Sequence, residues 1–421
     1  MRRRYENDPK EHDDTKRERR EEAAKTEPDK TLAVTPIDSY RSSFPYFLQP
    51  SEIGHFSLDV DRKFHDDSHQ LKYFDPPDKI SFDLSEGYKE FKAKDEDVKE
   101  GLGHLLEWIS AHREKFALPG EERVENGQAA DARPATKSLN TDFVTWRGDL
   151  TKLLCTPYET KEPWQMAATQ FKGTIYFTDV ETEEAKVCRR NMDERHKKMC
   201  YWGHKFETYV TKLVSERGKR ETVMGASTST ASTSEGGASA KPVNNSEAYV
   251  SVVRSRLESH SLVFGAEIDC CTKETEESPG NYIELKTSHA PQNHQQHLSF
   301  NRYKLLKWWA QSYLAGVPKI IAGFRHDYGH VDKLETYNTL EIPHLLENQR
   351  NMWDSTICFN FLEKFLCWLR SVVVLDDPNR VYLFSFSSPF KQVEYQGFTN
   401  GEDKLLPEWY IKVIDGNTCN K

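Results

Sequence analysis

The hydrophobic pattern divides the chain into a tail that cannot fold and a body that must. Residues 1–30 carry ten basic and ten acidic side chains and almost no apolar ones. Such a stretch cannot bury enough surface to offset its ordering entropy, so residues 1–35 are expected to form a disordered charged tail. Apolar clusters begin near Tyr40, with Phe44 to Leu48 and Ile53 to Leu58, and continue through the remainder. We read 36–421 as one domain. Apolar residues at helical spacing predict helices over Glu96–Arg113, Gly203–Glu216, Asn301–Leu314 and Asp354–Arg370. Short β-branched and aromatic runs predict strands over Asp142–Arg147, Thr174–Val180, Tyr249–Arg256, Lys319–Phe324, Arg380–Ser387 and Trp409–Ile414. Two polar stretches, about 117–138 and about 223–245, interrupt the body; the second is mostly Gly, Ala, Ser and Thr at its centre. Both are expected to be flexible insertions. The sum is an α/β fold with a mixed β-sheet core flanked by helices.

One pair of strands stands out. Leu262, Val263, Phe264 and Ile268 flank Glu267 and Asp269, while Tyr282, Ile283 and Leu285 flank Glu284 and Lys286. Residues two apart on a strand point to one face, so each segment projects two ionisable groups to one side. The acidic, turn-rich interval Cys270–Gly280 predicts that the two strands pair as a hairpin. A lone E-x-K is ordinarily a salt-bridged solvent face. Here four charged positions lie among apolar flanks, and three carboxylates beside one ammonium form a strongly repelling set. Mg²⁺ and Mn²⁺ prefer such hard oxygen donors, and two ions can activate a water and stabilise the leaving oxygen of a phosphodiester. A carboxylate–x–carboxylate followed by carboxylate–x–Lys resembles the core of PD-(D/E)xK nucleases.

Composition narrows the reading. The net charge of −9 excludes general adhesion to nucleic acid through the whole-protein field, so an enzyme of nucleic acids must rely on a local channel or on its metals. Eight cysteines form no C-x-x-C pair, which fits a reducing compartment. His196 with Cys200, or His294 with His297, lacks the complementary pair that a structural zinc site needs. No apolar run approaches a membrane span and no signal peptide is visible. The basic run Lys16 to Arg20, broken by Glu18, reads as a solvated charge run more readily than as a nuclear address.

With these segments in hand, the chain resembles the decapping exoribonuclease family, and its animal members most. The resemblance is carried by W-R-G at 146–148, Y-W-G-H-K-F-E at 201–207, G-A-E-I-D-C at 265–270, N-Y-I-E-L-K-T-S at 281–288 and L-L-K-W-W-A-Q-S at 305–312. It implies a hydrolase that removes incomplete and non-standard RNA caps, including nicotinamide-dinucleotide caps, and 5′ triphosphate, then degrades the RNA 5′ to 3′. It implies that Glu207, Glu267, Asp269 and Glu284, with the carbonyl of Leu285, hold two Mg²⁺ or Mn²⁺ ions. Lys286 and Gln311 would flank the scissile phosphate and the attacking water. Trp146, Arg147 and Gly148 would contact the RNA, as would Arg62 and Glu100 on weaker local context. Val250 stands where mammalian relatives place a cysteine near substrate. The implied partners are single-stranded RNA 5′ ends and, for some relatives, a larger 5′–3′ exoribonuclease. A monomer in the nucleus, with the cytoplasm as a second location, is the corresponding expectation. Two alternatives stay open at this point: a PD-(D/E)xK nuclease acting on DNA, and a non-enzymatic stabilising partner of an exoribonuclease.

Overall fold

The computed structural model describes residues 29–117, 139–213, 242–272, 278–347, 349–400 and 404–416. Most of the expected charged tail and nearly all of both insertions lie outside the described residues. The last part of the expected tail is ordered: Thr31–Ala33 pairs with Gln392–Glu394, and Leu32 and Val34 are buried.

Among the described residues the expected mixed β-sheet core forms as two sheets. The larger has ten strands, in the order Thr31–Ala33, Gln392–Asn400, Arg380–Phe386, Trp164–Phe171, Thr174–Asp179, Phe143–Trp146, His260–Glu267, Ala248–Leu257, Ser51–Leu58 and Phe64–His65. The smaller has seven: Phe82–Asp83, His330–Asn338, Lys319–Arg325, Tyr282–His289, Cys270–Cys271, Lys72–Phe74 and Thr211–Leu213. Each sheet mixes parallel and antiparallel pairs.

Alternation along the strands sets the layers. Phe143, Leu262 and Phe264 of the larger sheet and Tyr282, Ile320 and Ala322 of the smaller one turn into a shared core. The helices Arg147–Cys155, Leu305–Leu314 and Ser355–Val372 contribute Leu150, Trp309 and Phe361 to the same core. Val144, Val250 and Val263 face the other way, onto the helices Gly103–Ala111 and Glu408–Ile414. Ile283, Leu285 and Ile321 face the helix Glu194–Val210.

Three expectations are corrected. The hairpin does not form as predicted, because His260–Glu267 pairs with Ala248–Leu257 and Phe143–Trp146 in the larger sheet. Only Cys270 and Cys271 reach Ile283 and Tyr282. The chain therefore changes sheets at Ile268–Asp269. Arg147 does not end a strand but opens a helix, with Trp146 as the capping residue. Trp409–Ile414 is helical because Tyr410 and Ile414, four apart, bury together after Pro407.

Candidate active site

The change of sheet creates the site. Beyond Cys270–Cys271 the ladder to Tyr282–His289 stops, so the backbone N–H of Leu285 needs another acceptor. The Asp269 carboxylate takes it at 2.6 Å. The same strand turns Glu284 and Lys286 to the face shared by Tyr282, toward the helix opened by Arg147. Glu284 is 1 % exposed. Such a buried carboxylate needs close positive partners. Arg147 Nη1 donates to its Oε2 at 3.0 Å, and Lys286 Nζ donates to its Oε1 at 2.6 Å. Burial alone would raise the Glu284 pKa, but these two cations outweigh it and hold the group below the usual carboxylate range. Burial would likewise depress Lys286, yet Glu284 and Asp269 raise it. Asp269 goes the opposite way. Burial is the largest cause, the charges of Glu284 and Glu207 add to it, and its pKa lies well above the ordinary value.

Glu207 comes from a separate element. It lies half-buried near the end of Glu194–Val210. That helix is seated by close approach: a Cβ on Gly323 would stand 2.7 Å from the ring of Phe206, so only glycine lets the helix sit this near the strand. His204, one turn before Glu207, brings Nδ1 within 3.7 Å of its Oε1. Burial works to lower the His204 pKa, but Glu207 and then Glu267 overcome it and raise it. His204 thus connects the helix acid to the strand acid electrostatically. It lies inside the Y-W-G-H-K-F-E motif, where its three-residue spacing from Glu207 is the sequence signal for this contact.

Glu267 is exposed at the end of its strand and lines a cleft of about 430 Å³ with Trp146, Arg147, Gly148, Thr151, Gly265, Lys307 and Gln311. Trp146 lies across Gly265, where a Cβ would meet its ring at 2.3 Å. Gln311 is half-buried and opens to this cleft, while Trp308 and Trp309 are core residues. Lys307, one turn before Gln311, is tied to Glu162 at 2.6 Å and Glu159 at 3.4 Å. Lys307 lies inside the L-L-K-W-W-A-Q-S motif and Thr151 outside every motif, and neither receives a role from the sequence.

Arg62 and Glu100 pair with each other at the rim. Arg62 Nε and Nη2 donate to Glu100 Oε1 and Oε2 at 2.8 and 2.7 Å, and Lys94 adds a bond at 2.8 Å. Against the effect of burial, these bonds lower the Glu100 pKa to about 2. Trp146 Nε1 donates to the carbonyl of Gly101, which joins this rim to the cleft.

The donor set suits a hard divalent cation. Glu207, Glu267, Asp269 and Glu284 offer oxygen ligands, Leu285 supplies a backbone carbonyl at the same point of the strand, and burial, with the charges of Glu284 and Glu207, raises the Asp269 pKa. The acids are not drawn tightly together: among the described residues, the set of three ligand atoms within 4.8 Å of one another is His260, Glu363 and Cys367, elsewhere in the molecule.

A two-sheet α/β core with carboxylates and a lysine at the sheet crossover defines a PD-(D/E)XK-type nuclease. Comparison with known proteins narrows the class. The model of the RAI1 like PD-(D/E)XK nuclease family matches residues 48–411. The decapping and exoribonuclease protein of Xenopus laevis is 40% identical over 385 residues, 89% of this chain and 88% of that one. The human protein of the same name is 39% identical over 382 residues, 89% and 88% of the two chains. Rai1 of Scheffersomyces stipitis, solved with 3′-NADP⁺ and calcium, has a TM-score of 0.72 at 25% identity, covering 92% of this chain and all of that one. Rai1 of Candida albicans, solved with pU5 and Mn²⁺, has a TM-score of 0.70 at 25% identity and the same coverage. The chain belongs to the RAI1-like decapping exoribonuclease family. It is a hydrolase that removes RNA 5′ caps and degrades RNA.

Proposed function

We propose that this cleft hydrolyses defective and non-standard 5′ ends of single-stranded RNA, removing incompletely methylated caps, nicotinamide-dinucleotide caps and 5′ triphosphate, and then shortens the RNA 5′ to 3′. The observation that carries this reading is the buried Glu284, clamped by Arg147 and Lys286 beside Asp269. The ligands of C. albicans and S. stipitis Rai1, pU5 with Mn²⁺ and 3′-NADP⁺ with calcium, support both substrate classes.

Glu207, Glu267, Asp269, Glu284 and the Leu285 carbonyl would hold two Mg²⁺ or Mn²⁺ ions. When bound, these supply the Lewis acidity that lowers the pKa of a water and neutralises the leaving oxygen. The protein's own groups position the rest. Lys286 stays protonated beside Glu284 and presents a cation to the scissile phosphate. Gln311 orients the attacking water from the opposite wall. Arg147 spans Glu284 and the cleft, where its guanidinium meets phosphate oxygens with a matching fork. Trp146 and Gly148 border the terminal nucleotide, and Arg62 with Glu100 stabilises the rim beyond it. Positioning of this kind supplies much of the rate in phosphoryl transfer. We place the enzyme in the nucleus as a monomer, with a 5′–3′ exoribonuclease as a candidate protein partner.

The test is to incubate purified protein and Mg²⁺ with RNAs bearing a 5′ triphosphate, an unmethylated cap, a nicotinamide-dinucleotide cap or a monophosphate, and to identify products by mass spectrometry. Released pyrophosphate, cap nucleotides and 5′ nucleotides are expected. Intact RNA in every arm would reject the reading, and degradation of matched DNA alone would make it a DNA nuclease.

A further inference from the structure

His260, Glu363 and Cys367 form a mixed-donor cluster at the end of the larger sheet remote from the cleft. His260 and Glu267 are the two ends of one strand, which at ~3.3 Å per residue separates them by roughly 23 Å. Glu363 and Cys367 are four apart on Ser355–Val372, so they share one helical face, and that face covers His260. His260 Nε2 lies 3.2 Å from Cys367 Sγ, and Sγ donates to Glu363 Oε1 at 3.0 Å. One donor atom from each residue lies within 4.8 Å of the others. His260 is buried and braced edge-on by Phe143 at 5.6 Å, and its Nδ1 has no partner. Cys367 is solvent-exposed and leaves a route for an ion.

We propose that these three residues bind a thiophilic divalent cation, zinc by chemistry, at a site distinct from the cleft. Tetrahedral zinc, with bonds of about 2.3 Å to sulfur and about 2.0–2.1 Å to nitrogen or oxygen, separates neighbouring donors by roughly 3.5 Å. The observed 3.2 and 3.0 Å need only a small expansion. Binding replaces the thiol proton, which leaves to solvent, and one thiolate with one carboxylate balances the dication. His260 shifts its proton to Nδ1 and coordinates through Nε2. The fourth position is open to water. Arg370 and Lys364 lie close enough to oppose the cation, but Arg370 is turned to Asp142 at 3.5 Å. Asp142 also accepts the backbone N–H of Ser261 at 2.8 Å, which fixes the strand end that carries His260. The ion would fasten the helix to the sheet.

Cobalt is the probe. Chelator-treated full-length protein, held in excess Mg²⁺ so that the oxygen-rich cleft is supplied, is titrated with Co²⁺. A thiolate-to-cobalt charge-transfer band is expected, saturating at one equivalent and erased by Zn²⁺. Cys367→Ser and His260→Gln should lose the band, and Glu363→Gln should weaken it, each with an unchanged circular dichroism spectrum. Cys367→Ser should keep wild-type RNA hydrolysis in Mg²⁺, and Asp269→Asn should keep the band. Absence of the band in the wild type, or its survival in Cys367→Ser, would overturn the proposal.

Discussion

Two arginine–glutamate pairs, joined through Trp146 and its bond to the Gly101 carbonyl, teach different lessons. At the rim, Glu100 meets Arg62 and Lys94, so two cations surround one acid. In the floor, Glu284 meets Arg147 and Lys286, but Asp269, Glu207 and Glu267 stand nearby and acids outnumber cations. The rim is electrostatically closed and holds shape. The floor is open to further positive charge, and the opposite pKa shifts of Asp269 and Glu284 are its signature. An imbalance inside a fold persists only where the surrounding structure enforces it, and here the enforcers are the sheet crossover and the packed helix Glu194–Val210.

The sharpest way to break the contrast is to neutralise the floor. Glu267→Gln with Asp269→Asn should lower RNA hydrolysis by on the order of 10³-fold or more while the circular dichroism spectrum stays unchanged. Near-full activity would show that the acids are structural.

Arg147→Met strands Glu284 with one cation. Breaking a buried pair from one side costs roughly 3–5 kcal/mol, readable as a lower urea midpoint. An unchanged urea midpoint would contradict it.

Asp149, two residues after Arg147, tests the buried ground behind the floor. It accepts from Thr145 at 3.0 Å and from the N–H of Asp179 at 3.1 Å. Burial, then the charge of Asp179, raises its pKa to about 6. A raised carboxylate pKa means that the folded state holds its proton longer than the unfolded state. Stability from this group is therefore greatest below the unfolded value near pH 4 and declines until about pH 6, by up to about 3 kcal/mol. Asp149→Asn should flatten that part of the stability–pH curve, measured by denaturation at fixed salt. An unchanged slope would contradict it.

The rim should respond least. A double-mutant cycle on Arg62→Ala and Glu100→Gln should give a coupling of roughly 1–2 kcal/mol in stability, with the hydrolysis rate in either single variant within about tenfold of wild type. A rate loss as large as that of the floor variants would erase the distinction.

The sequence made part of this visible. Alternation placed Glu284 with Lys286 on one strand, but the strand that carries Glu267 ends there, so Asp269 reaches the site from the crossover and not from strand alternation. It could not assign those strands to sheets, because the partners of Leu262–Gly265 are Phe143–Trp146, far away in the chain. Local turn residues suggested a hairpin where only Cys270 and Cys271 pair. Glu207, Gln311 and Arg147 were reachable only through the motif resemblance, since nothing in their spacing brings a helix end or a helix start to the crossover. Glycine carried a hidden signal at Gly265 and Gly323, where close approach of Trp146 and Phe206 forbids a side chain. The His260, Glu363 and Cys367 cluster left no spacing signature, because a strand and a helix supply its members separately.

The most direct test of the central claim is diffraction from crystals grown with Mn²⁺, recorded at the manganese absorption edge. The account predicts two anomalous peaks in the cleft, ligated by Glu207, Glu267, Asp269 and Glu284. A cleft without peaks, or peaks that none of these carboxylates touch, would contradict it.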